Sequence, residues 1–192
     1  MVVWFEGVDT TGKSTQINMI KNSFPNAIIT KEPGGTQLGV SLRELILGQK
    51  KPLSSKSELF LFLADRAQHY EEVIYPNKNS LILSDRGFIS GISYALANEI
   101  EVDLGTLFLL NRLALGGSFE GKIVFFETTT SLIKKRLQEK ELDAIELRGV
   151  DYLMKVQEKM KSVLKRVELP ILHIDASRNI ESIAKSIEGF IK

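Results

Sequence analysis

An α/β fold with a five-stranded parallel sheet flanked by helices is predicted from three observations. Short apolar, β-branched runs recur at residues 2–8, 27–30, 81–83, 123–126 and 171–174. A longer stretch with helical periodicity separates each run from the next, which is the alternation of a βαβ chain. The runs also lack the apolar–polar alternation of a strand with one wet face, so they read as strands buried on both sides, as parallel strands usually are.

Taken in order, the first run leads through a glycine-rich turn into a helix over 13–24 that Pro25 ends. The second precedes a helix over 37–47 stopped by Gly48. A long helix is predicted over 57–75. Its segment from Leu59 to Leu63 is apolar on every side, so it must meet a substrate or a partner subunit as well as the core. The third run ends at Asp85 and Arg86. After the fourth, Leu153, Val156, Met160, Val163, Leu164 and Val167 recur at helical spacing with Pro170 beyond, an amphipathic outer helix. His173, in the fifth run, is expected to be a hydrogen-bonded core histidine rather than a ligand.

No repeat, low-complexity tract or linker divides the chain. Its 192 residues suit one domain, 1–192, with a self-sufficient core. With 25 basic and 24 acidic side chains, the net charge of +1 carries no footprint of nucleic-acid binding. The absence of cysteine excludes disulfides, thiolate nucleophiles and cysteine-ligated metals, and two distant histidines do not make a zinc site. No leader-like or bilayer-spanning run is visible, so the expectation is a soluble, cytoplasmic protein.

Gly7, Val8, Asp9, Thr10, Thr11, Gly12, Lys13 and Ser14 satisfy G-x-x-x-x-G-K-[ST] between the first predicted strand and the first predicted helix. Glycines let such a loop wrap with its N–H groups inward, and the helix, which continues through Thr15, adds its positive end. This is a phosphate loop, and with it the α/β prediction becomes the three-layer fold of P-loop nucleoside triphosphatases. Lys13 should reach the β- and γ-phosphates and Ser14 the magnesium ion of a bound triphosphate. A GTPase would be expected to carry Asn-Lys-x-Asp, whereas Asn77-Lys78 here continues with Asn79 and Ser80.

Asp85 and Arg86 stand where a buried strand ends, the edge at which open α/β sheets bind ligands. Asp85 suits a place near magnesium. Arg86 suits a phosphate, since its planar fork holds two oxygens at once; the plainer alternative is a salt bridge between the two.

Phe5 to Asp9, the run from Lys31 through Glu32, Pro33, Gly34 and Gly35 to Thr36, the stretch from Phe62 through Asp65 and Arg66 to His69, and Asp85-Arg86 followed by Ser90 and Tyr94 resemble the thymidylate kinase family. The resemblance implies transfer of the γ-phosphoryl of ATP to thymidine monophosphate, with Mg²⁺, by a homodimer. It implies that Phe62 stacks on the base and Arg66 bonds a base oxygen. Asp9 would hold the sugar 3′-hydroxyl, and Tyr94 would crowd the 2′ position. Glu32 and Pro33 would line the acceptor site, in the family through a cis proline, Arg43 would face phosphate, and His69 would support the acceptor helix. Without the resemblance, Phe62 would read as core and Arg66 and Arg43 as surface charges.

Three departures from the family pattern stand out. Thr10 and Thr11 leave the loop uncharged, so a mobile lid, about 131–148, should supply a cation, yet Ala144 stands where the family has arginine. Arg136 is the first candidate, with Lys140 and Arg148 behind it. Gly87 and Ala95 replace an aromatic residue and a glutamine, which suggests a looser acceptor pocket or a differently angled Arg86. The alternatives kept open are another P-loop nucleotide or deoxynucleoside kinase, and a nucleotide-driven switch module.

Overall fold

In the computed structural model, residues 1–48, 53–138 and 142–192 are described. All five predicted strands form: β1 Val2–Glu6, β2 Ile28–Lys31, β3 Ile82–Asp85, β4 Lys122–Glu127 and β5 Ile171–Asp175. They pair in the order β2-β3-β1-β4-β5, every pairing parallel.

Side-chain alternation along β1 divides the core. Val2 and Trp4 point into one hydrophobic cluster, Val3 and Phe5 into the other. The first lies under α3 Ser55–His69, α4 Phe88–Ala97, α5 Leu104–Ala114 and α7 Val150–Leu164. The second lies under α1 Lys13–Ile20 and α8 Ile180–Ile191. Helix α2 Gln37–Leu47 packs beside α3, and α6 Thr130–Leu137 beside α7. The three predicted layers are present, with all strand C-termini at one edge.

Four predictions need correction. The central β1 is buried throughout, but the edge strands β2 and β5 are half-exposed because each has a sheet neighbour on one side only. His173, on β5, is therefore exposed rather than core, and its Nδ1 lies 3.0 Å from Glu127 Oε1. The helix predicted over 57–75 is capped by the Ser54 hydroxyl, ends as an α-helix at His69, and continues as one wide turn, Tyr70–Ile74. Its apolar segment is divided: Leu59 and Leu63 are buried, while Phe60 is 61% exposed. The first helix is regular only to Ile20, with a tighter turn, Lys21–Ser23, before Pro25.

Candidate active site

The turn after β1 takes its shape from two glycines. Gly7 has φ +148°, and a Cβ there would fall 2.8 Å from the Phe126 carbonyl oxygen. Gly12, at φ +93°, begins α1 without any side-chain cap, which leaves the N-terminal turn uncovered for an anion. Lys13 folds back over the loop, donating to the Gly7 and Val8 carbonyls at 3.0 and 2.8 Å. Burial, reinforced by the Arg86 charge, pushes its ammonium down to about 8. A polyphosphate beside Nζ would restore the proton, so ATP binding above a pH of about 8 is expected to take one up. Calorimetry at roughly pH 8.5 in two buffers of different ionisation enthalpy measures this uptake; identical heats in both would exclude it.

The end of β3 meets this loop because Phe5 and Asp85 are register partners on adjacent strands. Ser14 Oγ donates to Asp85 Oδ2 at 2.5 Å. Arg86 has φ +74°, a left-handed conformation uncommon outside glycine. From there Nη1 donates to Gly7 O at 2.9 Å and Ser90 Oγ at 3.1 Å, while Nη2 meets Asp9 Oδ1 at 2.6 Å. The Tyr94 hydroxyl donates to the other Asp9 oxygen at 3.1 Å. Burial opposes ionisation of Asp9, but the Arg86 and Lys13 charges outweigh it and hold the carboxyl well below its usual range.

Two adjoining cavities at this edge share Asp9, Glu32, Arg43, Arg86 and Asp143 as walls. The larger, about 690 Å³, runs along residues 9–16 to Arg136 and the segment after β5. The smaller is enclosed by Pro33, Phe62, Arg66, Ser90 and Tyr94. It is the narrower of the two, at about 50 Å³. The peptide bond between Glu32 and Pro33 is cis, and Arg43 Nη1 donates to Pro33 O at 3.0 Å.

Arg66 is buried in the wall of the smaller cavity. Its Nε donates to Glu32 Oε2 at 2.8 Å, and Nη2 donates to Gly87 O at 2.8 Å. Glu32 Oε1 lies 2.8 Å from His69 Nδ1, and the other ring nitrogen lies 2.6 Å from Thr30 Oγ1. His69 thus ties α3 to β2 and to the Glu32 carboxylate. Burial opposes ionisation of Glu32, yet Arg66 and His69 together lower its pKa.

The sequence-selected residues therefore converge, with exceptions. Arg136 reaches the loop, its two terminal nitrogens donating to Thr10 O at 2.7 Å and Ala176 O at 3.0 Å. Arg148 does not. It bonds Asn98, Tyr152 and Glu58 and lines neither cavity, because the tight turn Glu146–Arg148 aims it across α4 and α3. Lys140 lies outside the described residues. Ala95 packs in the core rather than on a cavity wall. Gly87 has an ordinary extended φ of −173°; the unusual backbone belongs to Arg86 itself. A Cβ on Gly87 would run into the Trp4 ring, so that glycine makes room for an aromatic side chain on β1.

Some site residues escaped the sequence reading. Glu6 is completely buried, and its carboxylate accepts from Ile89 N, Ser90 N and Ser90 Oγ, capping α4 where Gly87 offers no side chain. A carboxylate inside an apolar strand was the available signal. Lys31, which opens the run resembling the family, and Arg178 also line the larger cavity; Arg178 had no sequence context that separated it from ordinary surface charge.

Comparison with known proteins agrees with this geometry. The sequence model of the family described as thymidylate kinase matches residues 5–187. The chain is 55% identical to the thymidylate kinase of Campylobacter curvus, covering all of both sequences. It is 53% identical to that of Campylobacter concisus, over the whole chain and 98% of the relative, and 52% identical to that of Aliarcobacter butzleri at the same coverage.

Proposed function

The chain belongs to the thymidylate kinase family, and from that premise we propose how its own residues carry out the transfer of the γ-phosphoryl of ATP to thymidine monophosphate. An oxygen of the acceptor 5′-phosphate attacks the γ-phosphorus. The bond to the β,γ-bridging oxygen breaks, and ADP leaves with that electron pair. Both reactants are anions, so the work is positioning and charge compensation, with no general base required. ATP lies along residues 9–16, with Lys13 at its β- and γ-phosphates. Thymidine monophosphate fills the smaller cavity, its base against Phe62 and Arg66 and its sugar between Asp9 and Tyr94, while Glu32, Pro33 and Ser90 complete the wall. Arg86 and Arg43, shared by both cavities, serve the phosphates between them.

Arg136 is the candidate for the cation the loop lacks, because it already reaches the Thr10 carbonyl. Ser14 and Asp85 supply the hard oxygen donors that magnesium favours, and their 2.5 Å contact places them together at the end of the phosphate path. Bound there, the ion would neutralise charge on the phosphates.

The observation that carries this reading is the sharing of Asp9 and Arg86 by the two cavities, since in-line transfer needs donor and acceptor to meet. ADP release is measured with ATP and magnesium against a panel of nucleoside monophosphates and unphosphorylated thymidine, using the wild type and Arg66→Ala. Preference for thymidine monophosphate, lost in the variant, is expected. A preference that survives in Arg66→Ala overturns the base-reading role.

Homodimerisation belongs to the same proposal. Phe60 on α3 and Leu109 and Leu113 on the neighbouring α5 are exposed, which offers an apolar face to a second copy. Sedimentation equilibrium should give twice the 21.5 kDa chain mass; the chain mass itself would refute the dimer. Among the described residues, no helix is long and apolar enough to cross a membrane, consistent with the proposed cytoplasmic location.

A further inference from the structure

We propose that Asn111, on α5, is a positioning residue for base recognition, which it serves by leaving Arg66 a single N–H to offer the acceptor cavity. The inference rests on the base-reading role of Arg66 proposed above. A guanidinium carries five N–H groups. In Arg66, Nε and Nη2 face Glu32 Oε2 at 2.8 and 2.7 Å, and Nη2 also donates to Gly87 O. Nη1 donates to Asn111 Oδ1 at 2.6 Å. Hydrogen bonds thus take three protons and the ion pair with Glu32 faces the second on Nη2, while the fifth, on Nη1, has no acceptor among the described residues. Arg66 lines the smaller cavity, as does Gly91 beside its Nη1.

The Asn111 side chain is suited to this task. It is fully buried, and its Nδ2 donates to Leu107 O at 2.8 Å. That bond leaves Oδ1 as the atom facing Arg66. Gly91 completes the seat from α4, because a Cβ there would lie 2.6 Å from Nη1 and 3.0 Å from Nη2. Carboxylate, carbonyl, amide and glycine therefore fix the guanidinium from four sides.

One remaining donor gives a selection rule. A base with a carbonyl oxygen at that position gains a charge-assisted hydrogen bond. A base with an amino group there sets donor against donor, so a cationic site discriminates thymine from cytosine. If Asn111 lost its acceptor, a second Nη1 proton would be freed and the plane could turn toward the cavity, weakening both affinity and the rule.

The test compares the wild type with Asn111→Leu, which removes the acceptor at similar volume, and Asn111→Asp, which keeps an oxygen in its place. Steady-state kinetics are run with thymidine and deoxycytidine monophosphates, alongside circular dichroism and melting curves. For Asn111→Leu, KM for thymidine monophosphate is expected to rise about tenfold or more, as for loss of a hydrogen bond to a charged group. KM for ATP should hold within about twofold of wild type, and the preference for thymine over cytosine should shrink. Asn111→Asp should recover most of that preference. An unchanged preference in a folded Asn111→Leu overturns the proposal, as does an equal rise in both KM values. If Asn111→Leu does not fold, retained discrimination in Asn111→Asp supports the proposal and its loss overturns it. An Arg66→Ala enzyme that still prefers thymine would instead remove the base-reading role on which this inference stands.

Discussion

Arg86→Ala is expected to lower kcat/KM by about 10²- to 10³-fold, the scale seen when one preorganised donor to a developing charge is removed. Arg86 is the charged side chain common to both cavities that also holds the phosphate loop, through Gly7 O at 2.9 Å, and Asp9, at 2.6 Å. Alanine would take away the proposed phosphate ligand and release Asp9 from its ion pair with Arg86. Arg86→Lys should recover little, because an ammonium on a flexible stem cannot reproduce a planar fork on Gly7, Ser90 and Asp9 together. The backbone supplies a control. At φ +74° the residue sits where an L side chain costs roughly 1–2 kcal/mol, so Arg86→Gly relieves strain that Arg86→Ala retains. Arg86→Gly should therefore be as inactive as Arg86→Ala and melt at a higher temperature. Activity within about fivefold of wild type in both variants would remove Arg86 from the transfer step.

Features encoded locally were readable in the sequence. The phosphate loop needs its glycines and lysine at fixed spacing because one turn between strand and helix makes the whole site, and it folds as read. The five strands were visible because burial on both faces demands continuous apolar runs, and only the edge strands misled. His173 was misjudged for that reason, since nothing local tells an edge strand from a central one. Arg148 failed differently: a basic residue near a lid has the same composition whether it turns toward phosphate or, as here, toward Glu58 and Asn98. The surroundings of Arg66 were the least legible. Glu32 lies 34 positions from it and Asn111 lies 45, and no periodicity connects residues brought together by three different elements. The family resemblance implies a base contact for Arg66 without saying what holds its guanidinium still.

Glu32→Ala is expected to have the largest effect on stability, because it strands a buried guanidinium. Arg66 and Glu32 are both 2% exposed, and removing one member of such a pair costs about 3–5 kcal/mol, mostly through the uncompensated charge left behind. At about 2–4 °C per kcal/mol for a chain of this size, the melting temperature should fall by roughly 6–20 °C near neutral pH. Glu32→Gln should lose less, since an amide oxygen can still accept from Nε. The sign of the pH dependence follows from the neighbouring carboxyls. Glu32 has its pKa lowered in the folded protein, so its contribution is complete above the ordinary glutamate value of 4.5 and disappears as the pH falls through the depressed one. Asp65 acts oppositely. Burial, with the Glu32 charge added, pushes it up to about 6, so its ionised form weakens the fold above that pH and protonation relieves the cost as the pH falls toward 4. Removing Glu32 also removes a charge that raises Asp65, so the variant should lose part of this acid-side relief. The gap between wild type and Glu32→Ala should thus widen a little from neutrality toward pH 4.5, where wild type gains the larger Asp65 relief, and close only as the pH falls below that and Glu32 itself is protonated. A gap below about 2 °C at pH 7, or one that stays fully open well below pH 4.5, would show that Arg66 is held by Gly87 and Asn111 without the carboxylate.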